Sequence, residues 1–276
     1  NLTHPRHVHL IGTAKRALQM WRSSVANNPQ LIDNDRAKVY EQCIASAAVL
    51  HDIGHSPFSH DLENLINNFT KKSHEQVAAE MIVGEYSLLE FYEKIPASLV
   101  PAEVRKNMVE IFSRMESIPD ILIRYGIPPE IVAQIVDKKR VKRKRGEEGE
   151  KMFSDQINKN YFLRECIDGK IIDADKLDYL QRDRINAGIT ETSFEPEGII
   201  ASLGLIVWND DIVWNDEIHL GISDKGIEMV NQLLTTRAYM YSRCYTHKTV
   251  LKIQAMVYEA CKRVFTSLGD AVEEYG

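Results

Sequence analysis

The stretch "AAVLHDIGHSPFSHD", residues 47–61, decides how the rest of the chain is read. It sets His51, His55 and His60 with Asp52 and Asp61 directly after an apolar run, where an ordinary core would carry aliphatic side chains. The preceding residues have helical spacing. From Asn34 to about Asp52, Val39, Tyr40, Cys43, Ile44, Ala47 and Ala48 recur at three- and four-residue steps, the period of a helix with one buried face. Gly54 is suited to end that helix in a left-handed conformation, so the histidines and aspartates fall at a helix C-terminal end. Adjacent side chains on a regular helix diverge by about 100°. His51 and Asp52 can therefore converge on one ion only where the helix stops.

The same spacing extends outward. Residues 4–22 carry Val8, Ile11, Ala14, Leu18 and Trp21 as the buried face of a first helix. In "SHEQVAAEMI", Ser73 and Gln76 stand at capping-box spacing and place His74 in the first turn of another helix. Segments near 87–94, 101–115, 128–136, 224–243 and 246–267 also read as helical. Only "GLIVWNDDIVWNDEIHLGI", 204–222, argues for strands, as a hairpin broken at Asn209-Asp210-Asp211. The expected fold is mainly α with a small β-hairpin insertion, a single domain over 1–276 with no boundary or repeat.

Composition narrows the function classes. The chain has 276 residues, 44% of them hydrophobic, enough for a substantial core without staples. Four scattered cysteines, Cys43, Cys166, Cys244 and Cys261, form no Cys-x-x-Cys pair. With no signal-peptide order in "NLTHPRHVHL", they point to a reducing, cytoplasmic setting. No apolar run reaches the roughly 18–20 residues of a membrane span. A net charge of −6 gives no overall pull toward nucleic acid. The exception is local: seven of the eight residues 138–145 are basic, within a charged stretch over 138–151. Such a run usually forms a solvated loop that compensates its own charge; the alternative is a phosphate-attracting or nucleic-acid contact.

Imidazoles and carboxylates held on separate helices suit Mn²⁺, Fe²⁺, Zn²⁺ or Mg²⁺. The candidates are His4, His51, Asp52 and an acid from "IIDADKLDYLQRDR", 171–184. There Asp175, Asp178, Tyr179 and Arg182 share one helical face, and like charges stacked on a face need cations between them. Asp173 reads as a cap or salt-bridge partner. His7, His9 and His219 read as ordinary surface or core histidines and are left out of the ligand set.

Taken in order, "LTH" at 2–4, "HDIGHSPFSH" at 51–60, "SHEQ" at 73–76, "DADKLDYLQRD" at 173–183 and "YTHK" at 245–248 resemble the HD-domain deoxynucleotide triphosphohydrolases. The resemblance implies the helical HD fold and a divalent metal held by His4, His51, Asp52 and Asp175, with manganese or iron favoured and a second ion open. It sets His55, His60 and His74 beside the phosphates and the scissile bond. It further implies that Lys176 reaches phosphate oxygens, that Tyr179 and Asp183 contact the sugar, and that Tyr245 lies near the base. The family carries a phosphate-contacting arginine three residues before its first metal histidine; counted from His4, that position is Asn1. A nucleotide substrate, most simply a dNTP, an effector nucleotide and a homo-oligomer are the partners implied.

The residue types suit the reaction. Hydrolysis at the α-phosphorus needs an activated water, neutralised phosphate oxygens and a proton for the departing 5′ oxygen. A histidine can carry that proton near neutral pH. His60 is assigned as the leaving-group acid, His55 as a phosphate ligand, and His74 as the group that positions the water or a neighbouring histidine. Two rivals remain: an HD phosphohydrolase for another phosphate ester, such as a nucleoside monophosphate, a signalling nucleotide or a single-stranded nucleic acid end, and a nucleotide sensor without turnover.

Overall fold

The computed structural model describes residues 5–32, 34–55, 60–94, 100–137, 139–140, 161–210 and 213–275. In chain order the helices are α1 (Arg6–Asn27), α2 (Asn34–Leu50), α3 (His60–Thr70), α4 (His74–Val83), α5 (Leu88–Lys94), α6 (Ala102–Ser113), α7 (Ile118–Arg124), α8 (Pro129–Val136), α9 (Phe162–Glu165), α10 (Ala174–Asn186) and α11 (Pro196–Ala201). Two antiparallel strands follow, β1 (Leu203–Asp210) and β2 (Val213–Ile222), and then α12 (Asp224–Met240) and α13 (Lys248–Tyr275). The chain is mainly α with one small sheet, as expected.

α1 packs against α2, α10 and β1, while α2 and α4 pack against α8. The apolar faces meet in one core. Ala17 and Met20 of α1, Cys43, Ile44, Ala47 and Ala48 of α2, and Leu177 and Leu180 of α10 are all fully buried. The Trp21 ring stacks on Phe162 with centroids 5.5 Å apart. Asn27 and Asn28, just past the core end of α1, tie down the hairpin: Asn27 Nδ2 donates to Leu203 O at 2.6 Å and Leu205 N donates to Asn28 Oδ1 at 2.7 Å.

The buried stripe of α1 differs from the apolar one expected. It consists of His9, Thr13, Arg16, Ala17, Met20, Trp21 and Ser24, whereas Ile11 is 64% exposed. The helical period holds and its phase is turned, because the N-terminal half of the helix buries polar groups against α10. Arg16, for example, donates to Gln181 Oε1 at 2.8 Å.

Gly54 also acts otherwise than expected. It is not among the residues with positive φ. A Cβ there would lie 2.0 Å from His74 O and 2.7 Å from Ala78 N, so glycine lets the first turns of α4 close onto the end of α2. α4 itself starts with the capping box, Ser73 N donating to Gln76 Oε1 at 2.8 Å and Gln76 N to Ser73 Oγ at 3.4 Å.

Of the basic run, Arg140 is buried rather than solvated. It forks onto Glu85 at 2.9 and 3.1 Å and onto Glu130 at 2.9 and 3.2 Å, which satisfies most of its donors. The rest of the expected loop, 138 and 141–151, lies outside the described residues, as do 211–212. Of the hairpin break expected at Asn209-Asp210-Asp211, Asn209 and Asp210 belong to β1 instead, Asp210 pairing with Val213. No helix among the described residues is long and apolar enough to cross a membrane.

Candidate active site

Three elements meet where α1 begins, α2 has ended and α10 begins. His9 Nε2 lies 3.0 Å from Asp175 Oδ1, and His51 Nε2 lies 3.7 Å from the same oxygen and 3.2 Å from Asp52 Oδ1. His9, His51 and Asp175 each offer a ligand atom, all within 4.8 Å of one another. His51 and Asp52 converge because the backbone leaves the helix at Leu50 and turns, with Ile53 N donating to Leu50 O and His55 N to Asp52 O. Asp175 is aimed by its place in the first turn of α10, where Asp173 caps the helix by accepting from Lys176 N at 2.7 Å.

The outer partners set the tautomers. His51 Nδ1 is 2.8 Å from Ala48 O, which can only accept, so Nδ1 carries the proton and Nε2 faces the cluster. His9 Nδ1 likewise faces the Asp178 carboxylate at 2.9 Å. Asp178 is held in turn by the Arg182 fork, at 2.7 Å from Nη2 and 3.1 Å from Nε. This carboxylate–imidazole order is how proteins orient metal-binding histidines. The position depends on Gly12, since a Cβ there would sit 2.0 Å from Asp178 Oδ1.

The electrostatics of these side chains agree. Burial pulls the His9 imidazole down, but Asp175 and Asp178 outweigh it and raise its pKa to about 9. His51 is also raised, against burial, by Asp175 and Asp52. Burial pushes the Asp175 carboxyl up, yet the two imidazoles hold it well below the usual carboxylate range. A site that gathers cationic charge around one carboxylate, with both Nε2 atoms turned inward, fits a divalent ion in place of those protons.

Beside this cluster, the His55 and His74 rings stack with centroids 3.8 Å apart, and His55 Nε2 is 3.5 Å from Asp52 Oδ1. His74 Nδ1 meets Glu63 Oε1 of α3 at 2.5 Å, and its Nε2 lies 3.5 Å from Glu75. His60 begins α3, and its side chain lies outside the described residues, as does His4. Along α10, Asp175, Tyr179 and Asp183 recur every four residues, a line of about 12 Å at 1.5 Å per residue. At its far end Tyr245 Oη donates to Asp183 Oδ2 at 2.8 Å. Tyr245 reaches it from a π-helical turn, Tyr241–Tyr245, that follows α12. Lys176 points elsewhere: its ammonium pairs with Asp173 and donates to Gly169 O at 2.7 Å.

The structure thus brings His51, Asp52, Asp175, His55 and His74 together, and draws Tyr179, Asp183 and Tyr245 into one neighbouring group. It also corrects the reading of His9 as an ordinary histidine and gives Asp178, expected only as part of an anionic helical face, a definite partner. His9 joins the His51–Asp175 pair, Asp178 and Gly12 stand behind it, and Glu63 holds His74. Arg6 Nη2 lies 3.7 Å from Asp52 Oδ2, three residues before His9. That Arg-x-x-His spacing, Arg6 to His9, is a signal present in the sequence itself.

An HD domain family model matches residues 6–182, well over half of the chain. The chain belongs to the HD domain family. The match begins at Arg6, the first residue of the helix that carries His9, and ends at Arg182, the residue that clamps Asp178. The HD protein is 24% identical over 244 residues to the uncharacterised protein YwfO of Bacillus subtilis, covering 88% of this chain and 41% of that protein. It is 23% identical to the MG461 homologue of Mycoplasma pneumoniae, covering 88% and 44%. It is also 25% identical to human deoxynucleoside triphosphate triphosphohydrolase SAMHD1, covering 99% and 38%. The chain therefore spans about two-fifths of the length of these relatives.

Proposed function

We propose that this HD protein is a metal-dependent nucleotide phosphohydrolase that splits a dNTP into deoxynucleoside and triphosphate, with residues 1–276 acting as one HD-type unit. The observation that carries the reading is the convergence of His9 Nε2, His51 Nε2 and Asp175 Oδ1 within 4.8 Å, next to the stacked His55–His74 pair. His9, His51, Asp52 and Asp175 would hold one divalent ion, with His9 taking the place first given to His4; manganese or iron is the favoured ion. When bound, the ion supplies Lewis-acid charge against the α-phosphate and activates water.

The chain's own groups supply the rest. His55 meets phosphate oxygens, and His60 delivers the proton to the departing 5′ oxygen. His74, with Nδ1 fixed on Glu63, presents Nε2 to the water or to a neighbouring histidine. The line along α10 carries the substrate from phosphate to sugar: Asp183 and Tyr245 offer an acceptor and a hydroxyl for the deoxyribose, and Tyr179 lies between them and Asp175. Burial and the Asp183 carboxylate push the Tyr245 phenol well up, so it stays protonated. Lys176 would have to leave Gly169 to reach a phosphate. The SAMHD1 relatives, named as deoxynucleoside triphosphate triphosphohydrolases, support the dNTP class; a homo-oligomer and a cytoplasmic setting belong to the same reading.

The test is product analysis. The Mn²⁺-loaded protein is incubated with dNTPs, NTPs, nucleoside monophosphates and short single strands, and products are separated by ion exchange. Deoxynucleoside with intact triphosphate is the expected outcome, absent in Asp175→Ala. Inorganic phosphate or pyrophosphate as the product would sink the reading.

A further inference from the structure

Away from the candidate site, a cavity of about 630 Å³ lies between the hairpin, α12 and the loop from α9 to α10. That volume falls in the range of roughly 300–1,000 Å³ typical of small-molecule sites. Its apolar lining comes from Leu203 of β1, Leu220 and Ile222 of β2 and Val230 of α12. One wall is aromatic, with the Tyr161 and His219 rings 4.9 Å apart. Glu165 fixes that wall, its Oε2 accepting from Leu220 N at 2.7 Å while Oε1 faces His219 Nδ1 at 3.1 Å.

The lining carries a one-sided charge. Glu165, Asp168 and Glu217 face one lysine, Lys170, and His219, which lies between Glu165 and Glu217 at 3.1 and 3.3 Å. A phosphate would meet three carboxylates there, so this is no second seat for the nucleotide.

We propose that the cavity binds a small organic ammonium compound, its apolar body against Leu203, Leu220 and Val230 and its cationic head among Glu165, Asp168 and Glu217. Binding there reaches the candidate active site through one bond. Gly169 lines the cavity, and its carbonyl accepts the Lys176 ammonium at 2.7 Å. The loop has no slack, since a Cβ at Gly169 would meet Ile172 O at 2.1 Å and Glu165 O at 2.8 Å. An occupant that holds this loop also holds Lys176 on Gly169 and away from a phosphate. This consequence, unlike the binding itself, rests on the phosphohydrolase reading.

The test uses the full chain without nucleotide, with phenethylamine as the probe and 3-phenylpropionate as its anionic counterpart, followed by ligand-observed NMR. The amine is expected to bind about tenfold or more tightly than the acid, as the sign of the lining charge requires. Glu217→Gln, which keeps the volume, is expected to weaken the amine by up to about fivefold, and Val230→Trp, which fills the apolar floor, to abolish it. Equal binding of the two probes, binding of neither, or an unchanged amine affinity in Glu217→Gln overturns the proposal. In a dNTP assay, saturating amine is expected to raise KM in the wild type and in no folded Val230→Trp protein; an unchanged KM removes the coupling. Absence of any dNTP turnover counts against the proposed reaction and leaves the binding result to decide the cavity.

Discussion

Asp178 touches no candidate ligand atom, yet Asp178→Asn is expected to loosen the metal site. The His9 ring is oriented by Nδ1–H donating to Asp178 Oδ2 at 2.9 Å, and the same carboxylate accepts both arms of the Arg182 fork. An asparagine has one acceptor for three donors. If its oxygen serves Arg182, its amide confronts His9 Nδ1 with a donor, and the imidazole is driven to the tautomer whose proton sits on Nε2. If its oxygen serves His9, the amide confronts Arg182. Either way a buried donor is left facing a donor, on a residue only about 9% exposed. Loss of such an outer partner typically lowers metal affinity by about 10–100-fold, or about 1.4–2.7 kcal/mol. Titrating the metal-free protein with Mn²⁺ against a competing chelator measures the shift. His4→Ala, run alongside, is expected to bind Mn²⁺ like the wild type. A dissociation constant for Asp178→Asn within twofold of the wild type, or a loss in His4→Ala as large as that expected of Asp178→Asn, would refute the reasoning.

Gly12→Ala is expected to reproduce that loss and to lower stability by about 1–3 kcal/mol, the usual cost of overpacking, because its Cβ would lie 2.0 Å from Asp178 Oδ1; urea melts with Mn²⁺ titration check both. Arg140→Met removes the shared partner of Glu85 and Glu130. Because those carboxylates are partly exposed, the loss should fall below the 3–5 kcal/mol of a wholly buried pair, at about 1–3 kcal/mol by chemical denaturation. Burial pushes the Cys43 thiol up to about 12 and raises Cys166 as well, so iodoacetamide at pH 8 should label Cys244 and Cys261 before unfolding and the other two only after, read by mass spectrometry. The Arg16 hydrogen bond, with help from Glu195, holds Glu197 down to about 2. With the folded value below the unfolded one of about 4.5, its stabilisation is complete above that pH and fades as pH falls toward 2. The stability difference between wild type and Glu197→Gln should therefore shrink from pH 6 to pH 3. Because Glu197 itself is exposed, it is on the order of 1 kcal/mol or less, and a pH-independent difference would remove Glu197 from the account.

The helices were legible because their apolar periods are strong, and the capping box at Ser73–Gln76 announces α4 from four residues. What periodicity cannot convey is why a helix stops or how closely it is approached. Gly54 invites a reading as a left-handed helix end, but its reason lies in α4, whose backbone occupies the place of a side chain. Glu63 carries no local mark either. It is one acid in "HDLENLINNF" until α3 and α4 fold together and bring it to His74. Tyr245 was placed by its motif alone, whereas the π-helical turn that aims it at Asp183 has no signature in composition.

α1 shows the deeper limit. Phasing a helix by its apolar residues assumes that the buried side is the apolar side, and at a helix that builds an active site that assumption fails. Trp21 and Met20 face the core, but two turns back the same stripe carries Thr13 and His9, and His9 is the point of the helix. His4 lies outside the described residues, whereas His9 sits on the helix that packs on α10. On the assignment proposed above, the arginine expected three residues before the first metal histidine is Arg6 and not Asn1. Its half-exposed guanidinium stands 3.7 Å from Asp52, at the edge of the cluster where a phosphate would enter. On that assignment the arginine that the triphosphate reading requires is Arg6, carried on the same helix as His9.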